Sequence, residues 1–157
     1  MTNLETLSNK QSKPIPNWLT ALFLAISLIG FLNATYLTAK YFLKTPINCY
    51  LSGGCEKVTT SQYATVYGIP IALLGAIYYL LLFVLVFIYY DTNNQRVLKF
   101  AAWLTFIGLF VSLVLLYLQF FVIKAICTYC VASAIDSILL FIIGLIILNC
   151  TLEKTSN

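Results

Sequence analysis

The sequence predicts an all-α integral membrane protein: a four-transmembrane-helix bundle with an exported loop and a short interfacial helix between spans 1 and 2. Three observations carry that prediction. Hydrophobic residues make up 61% of the 157 and charged residues only 9%, against the roughly 25% charge usual in soluble domains. Four apolar segments each come near the ~20 residues that a bilayer crossing requires. The polar stretches between them are short, with one exception.

Taken in order, residues 1–17 are polar, with Pro14 and Pro16 just before Trp18, and are expected to form a cytoplasmic tail. The first span is expected over Trp18–Leu37. It is too long for the apolar core of a secretory signal and lacks a small-residue cleavage site, so it stays as a span. The long connection follows, from about Tyr41 to Gly68, and carries "CYLSGGC". Its second half, "CEKVTTSQYATVYGIP", has apolar residues at helical intervals and ends on Gly68 and Pro70. That pattern predicts a short helix lying against the bundle. The second span, Ile69–Tyr90, and the third, Val97–Val122, are joined by the tight polar turn "DTNNQR". The fourth, Cys127–Leu148, begins just past Lys124. Residues 18–150 thus form the membrane domain, and 151–157 a second cytoplasmic tail.

An even number of spans puts both termini on one side of the membrane. Cys49, Cys55, Cys127 and Cys130 then share the opposite face, while Cys150 lies at the far end of the last span. The termini side carries Lys10, Lys13, Arg96, Lys99 and Lys154; the cysteine side carries Lys40, Lys44, Lys57 and Lys124. Five cations against four favour termini inside.

Histidine is absent, which removes His-based acid–base work, Cys-His nucleophiles and mixed Cys/His zinc sites. The net charge of +4 is scattered singly and reads as topology and lipid contact, not as a nucleic-acid surface. Unusual chemistry therefore falls on sulfur. A C-x5-C in a glycine-bearing loop and a C-x2-C at a helix start, on one membrane face, suit two dithiol pairs that exchange. Ser52, Gly53 and Gly54 let the first pair swing. The helix after "CTYC" holds the second, and its N-terminus lowers thiol pKa. Two other readings stand beside this. The pairs are two structural disulfides in a non-enzymatic membrane protein, or they form a four-thiolate zinc site. Their separation is not the usual zinc spacing, and no metal is expected. Cys150 reads as a packed, reduced thiol.

The ordered set "NCYLSGGCEKVTTSQYATVYGIPIALLGAIYY" followed by "CTYCVAS" resembles the vitamin K epoxide reductase family, in its bacterial branch, over nearly the whole chain. The coincident elements are the loop cysteine pair, the serine six residues after its second cysteine, "GIP" opening the second span, "LG" then "YY" within it, and the late CxxC. The DsbB family shares four spans, two cysteine pairs and a quinone, but has its CxxC in the first exported loop, the reverse of the order here.

The resemblance implies a quinone-dependent thiol oxidase in the inner (plasma) membrane, with the cysteines on the periplasmic face. Its cofactor would be ubiquinone or menaquinone. Its implied partner is a separate periplasmic thioredoxin-fold, DsbA-like protein, because the sequence shows no fused thioredoxin-like domain. In that scheme the partner's thiolate attacks Cys55, the released Cys49 attacks the inner pair at Cys127, and Cys130 passes electrons to the quinone. Ser61 matches the serine near the quinone; otherwise it is a helix-cap or turn hydroxyl. Ala134 stands where animal relatives place a tyrosine, which argues against assuming vitamin K epoxide chemistry; a quinone or vitamin K (epoxide) reductase as the main physiological direction is the alternative.

Asp136 is the only acidic residue deep in a span. It lies ~9 Å of helical rise past Cys130 and about 120° away from its face. It is expected to be protonated or hydrogen-bonded across helices, with Gln119 and Asn33 as partners; a proton-relay role is the alternative. Ser133 and Ser137, with Ala134, share the Cys130 face and read as close helix packing. Phe106, Phe110 and Phe120 are aromatics available to a quinone pocket, with nothing in the sequence to select among them.

Overall fold

A computed structural model describes residues 16–45, 54–92 and 94–152, with backbone alone for Glu56 and residues 150–152. Four helices are long and apolar enough to cross a membrane, over Asn17–Leu43, Ile71–Thr92, Gln95–Ile123 and Thr128–Asn149. The chain is an all-α membrane bundle. Its helices are α1 (Asn17–Leu43), the short α2 (Gly54–Thr59), α3 (Ile71–Thr92), α4 (Gln95–Tyr117) and α5 (Thr128–Leu152). Between α4 and α5, Leu118–Ile123 winds as a π-helix.

The four long helices form a closed square: α1 packs on α3 and α5, and α4 packs on α5 and α3. Large apolar side chains such as Leu32, Phe87 and Trp103 stay exposed on its outside, where hydrocarbon is the solvent. Inside, Leu19, Phe23, Leu82, Val86, Leu98, Leu140 and Ile147 interlock as one core. Three buried hydroxyls within the spans are satisfied by their own helix. Ser27 donates to Leu24 O at 3.0 Å, Thr38 to Ala34 O at 2.8 Å and Thr105 to Ala102 O at 2.6 Å. Each takes the hydrogen-bonding that lipid cannot supply from its own helix.

Two boundaries differ from the sequence expectation. The first helix runs on to Leu43, where Lys44 enters the left-handed region at φ 49° and its N–H caps Tyr41 O. Lys40 hides this extension from a hydropathy reading, because its long side chain reaches water from within a helix. The connection before α3 is helical only over Gly54–Thr59; residues 65–70 form a two-stranded hairpin, pairing Thr65 with Pro70 and Val66 with Ile69. Tyr67 at φ 51° and Gly68 at φ 81° occupy its two turn positions. Positive φ at both is the turn that suits a two-residue hairpin. At the opposite end of the bundle, the Asn94 side chain accepts from Arg96 N–H at 3.1 Å and starts α4 directly after the turn from α3.

Candidate functional site

The site grows from the start of α5. Cys127 immediately precedes the helix, and its carbonyl accepts the Val131 N–H at 3.0 Å, so it is the N-cap residue. Its sulfur takes the place of the usual capping oxygen. It accepts the Cys130 thiol and the backbone N–H groups of Cys130 and Tyr129. The thiol of Cys130 is the largest influence; together with the two amides it outweighs burial and draws the Cys127 pKa down from 9.0 to about 7. Cys127 is therefore the thiolate of the pair near neutral pH, with Cys130 as its proton donor.

Around this turn the chain places an unusual share of its polar groups. The π-helical segment carries Gln119, which is 3% exposed, and its Oε1 accepts the Cys127 N–H at 3.3 Å. The same side chain lies within hydrogen-bonding reach of the Cys130 sulfur. From α1, Asn33 donates through Nδ2 to the Tyr129 carbonyl at 2.9 Å. The ring of Tyr129 leans on Tyr36 with centroids 5.1 Å apart, and Lys40 sits over the other ring at 5.8 Å. From α3, Tyr79 donates to Ser133 O at 2.8 Å and shares hydrogen bonds with the Ser133 and Ser137 hydroxyls, each at 3.0 Å.

Cys55 reaches the same place from the other side. It lies on α2, is fully buried and disulfide-bonded, and packs in one cluster with Val58 and Cys127. Ile123, Ala125, Tyr129 and Cys130 complete that cluster. Gly54 makes the approach possible: a Cβ there would meet the Ile126 carbonyl oxygen at 2.6 Å. A neighbouring backbone cannot yield as a side-chain tip does, so only glycine lets α2 lie this close.

Below the turn is a cavity of about 700 Å³, reaching between the helices. Cys130, Ser61 and Gln119 line it together with aliphatic side chains such as Leu74, Val111 and Leu115. Its size is typical of small-molecule pockets, at roughly 300–1,000 Å³, as is its mostly apolar wall with a few convergent polar groups. A quinone headgroup and part of its isoprenoid tail fit that description.

Of the sequence-derived candidates, Cys55, Cys127 and Cys130 come together. Cys49, like the rest of 46–53 and most of both tails, lies outside the described residues. Ser61 lines the cavity while its Oγ donates to Val58 O at 2.7 Å, closing the turn after α2. Ser133, Ala134 and Ser137 line the cavity as well, as does Phe110; Phe106 instead packs edge-on against Phe141 at 4.8 Å. The pairing expected for Asp136 is corrected: Gln119 and Asn33 are both turned to the CxxC turn, and Asp136 stays half-buried on α5. Gln119, Asn33, Gly54 and Tyr79 were not legible as site residues. The available signal was that Asn33 and Gln119 are lone carboxamides within apolar spans, where polar side chains are rare and functional.

The bundle thus holds its CxxC between a buried, disulfide-bonded cysteine and an apolar cavity. The vitamin K epoxide reductase family profile matches residues 21–145 of the chain. The chain belongs to that family, and so to the membrane oxidoreductases of quinone or vitamin K redox chemistry. A search of curated proteins finds no match.

Proposed function

We propose that the protein is a quinone-dependent thiol oxidase that reoxidises a separate periplasmic thioredoxin-fold, DsbA-like protein and so supports disulfide bond formation. The observation that carries this reading is the division of one CxxC between two environments. Cys127 is buried against Cys55, while Cys130, three residues on, lines the apolar cavity.

In the relay, a thiolate of the partner attacks Cys55, breaking the Cys49–Cys55 bond and forming a mixed disulfide. The partner's second thiol resolves it, leaving Cys49 and Cys55 reduced. Cys49 attacks Cys127, which breaks the Cys127–Cys130 bond and releases Cys130 as the leaving thiolate beside the cavity. Cys55 then regenerates the outer disulfide, and the inner pair is left as a dithiol. A ubiquinone or menaquinone there would accept two electrons and two protons. The sum is partner dithiol plus quinone giving partner disulfide plus quinol. The capping amides favour Cys127 as the sulfur that exchanges, because they hold it as thiolate when the pair is reduced. Since disulfides persist on exported faces, the cysteine end is periplasmic and the termini cytoplasmic, in the inner membrane.

The test supplies the purified protein with a reduced thioredoxin-fold substrate and a soluble quinone analogue. Quinone-dependent loss of substrate thiols, matched one quinol per disulfide, supports the reading; thiol loss that ignores quinone overturns it.

A further inference from the structure

We propose that the cysteine end carries a collar of lysines that docks a thioredoxin-fold protein with acidic side chains around its own reactive cysteines. The inference rests on the thiol-oxidase reading for the partner's fold and adds the chemistry by which that partner is recognised. Four lysines lie at this end, Lys40, Lys44, Lys57 and Lys124, against one acid, Glu56, which leaves a formal side-chain charge of +3. The opposite end sets five cations against Glu5, Asp91 and Glu153, a formal +2. Topology gives no reason for the excess, because the positive-inside rule thins Lys and Arg from short exported segments.

The four are scattered in sequence, yet the fold ties three of them to one spot. Lys57 stands exposed on α2, two residues past Cys55. Lys124 stands exposed between Ile123 and Ala125, both of which pack on the cluster of Cys55 and Cys127. Lys40 sits 5.8 Å from the centroid of the Tyr36 ring, which meets Tyr129 of the same cluster at 5.1 Å. Lys44, also exposed, follows at the end of α1. Cys55 itself is fully buried, so an approaching protein meets these cations before it meets the sulfur. Because three of the four adjoin the cysteine cluster, the occupant they suit is the protein that must reach Cys55, not a lipid headgroup. Opposite charges around such a contact speed encounter by roughly 10–10³-fold, an effect that salt removes.

The test measures association of the full-length protein, in nanodiscs of zwitterionic lipid, with a thioredoxin whose two cysteines are changed to serine. Binding is thereby read without thiol exchange and without quinone. The probe is made in two forms, with Glu or with Lys at the positions flanking the serines. At about 10 mM salt the Glu form is expected to associate about tenfold faster than the Lys form. The gap closes toward about 150 mM, as the screening length falls from ~30 to ~8 Å. Lys57→Glu combined with Lys124→Glu is expected to reverse the preference, whereas Lys99→Glu at the opposite end leaves it in place. Equal rates for the two forms at low salt, or a preference that survives in the double variant, overturn the proposal. If the rates are equal and wild type retains phosphatidylglycerol through purification where the double variant does not, the lysines serve lipid instead. Should the double variant not fold, the salt dependence of the two forms on wild type decides alone. Dithiothreitol, a small neutral dithiol that has no use for the collar, is expected to drive reduction of a soluble quinone analogue within twofold of wild type in the double variant. A larger fall there would assign the lysines to the fold, against the proposal. Failed association with that turnover intact leaves the thiol-oxidase reading standing, and absent turnover leaves the association result intact.

Discussion

At the end of the bundle away from the cysteines, Leu19, Phe23, Leu82, Val86, Leu98 and Ile147 meet as interlocking hydrocarbon. At the cysteine end, the first turns of α5 collect hydrogen bonds from three other segments: Asn33 of α1, Tyr79 of α3 and Gln119 of the π-helix. Water is scarce at both ends, but the two solve that problem differently. The far end is joined through apolar side chains of all four helices, so its packing is set by shape. The near end uses polar bonds between helices, each of which fixes the rotation of α5 and so the aim of its two sulfurs. Shape suffices to hold a bundle together, whereas a dithiol that exchanges nearly in line needs orientation.

The largest effects follow from separating these two jobs. Cys130→Ser is expected to reduce quinone-coupled turnover to background with little change in thermal midpoint. Cys55→Ser is expected to trap a Cys49–Cys127 crosslink on non-reducing gels. Leu82→Ala, buried in the hydrocarbon half, should do the reverse. It is expected to cost about 2–5 kcal/mol of stability, as large-to-small core substitutions do, while the folded fraction turns over normally. Loss of specific activity in folded Leu82→Ala would erase the distinction between the two ends.

Gly54→Val probes the seam where the two cysteine-bearing segments meet. Its Cβ would fall 2.6 Å from the Ile126 carbonyl, and relieving such overpacking costs about 1–3 kcal/mol. That strain falls on the contact between α2 and the CxxC turn, not on the helical square. Electron transfer from the outer to the inner pair, followed by quenched-flow thiol trapping, is expected to slow about tenfold or more while the thermal midpoint stays near wild type. An unchanged rate would mean that α2 need not lie against Ile126 during exchange.

A smaller and more local effect is the titration of Cys127. Its pKa of about 7 makes it a thiol below that pH and a thiolate above it, so reduced protein should gain thiolate absorbance through pH 7. The depressed value also stabilises the reduced fold over its unfolded form. That contribution is full above the ordinary value of 9.0 and lost as pH falls through 7. Cys127→Ser should abolish the step, and a first thiolate appearing only near pH 9 would contradict the capping geometry.

How far the sequence carries one toward this picture can be judged residue by residue. The spans are legible because twenty apolar residues in a row have few other uses, and the shared face of Cys55 and Cys127 follows from counting them. The hairpin at 65–70 was masked by apolar spacing that also suits a helix, although "VYGI" holds its turn and its alternation. Gln119 shows the harder limit. A π-segment inserts an extra residue per turn, which rotates everything beyond it by about 100° relative to a regular helix. Facing relations between α4 and α5 read from a uniform helical period are therefore wrong past Tyr117. Gln119 and Asn33 were candidates for Asp136 only as polar groups on other helices, and the structure turns both carboxamides to the CxxC turn. The same rotation is invisible in composition, because "LQFFVI" contains nothing that breaks a helix.

The smallest predicted effect tests this last correction. Asp136 shares α5 with Cys130, so proximity in sequence makes it a tempting proton source for a quinone. It points about 120° from the cysteine, the cavity lining passes through Ser133, Ala134 and Ser137 without including it, and the two carboxamides that might have tied it to the site are engaged at Cys127 and Tyr129. Protons for a reduced acceptor have a shorter source in Cys130 itself, which lines the cavity. Asp136→Asn, of nearly the same shape, is accordingly expected to leave turnover and its pH profile within about twofold of wild type, well under the tenfold to 10⁴-fold that a general acid contributes. A drop of tenfold or more, steepening with pH, would put Asp136 on the proton path and require the cavity to open toward it during the cycle.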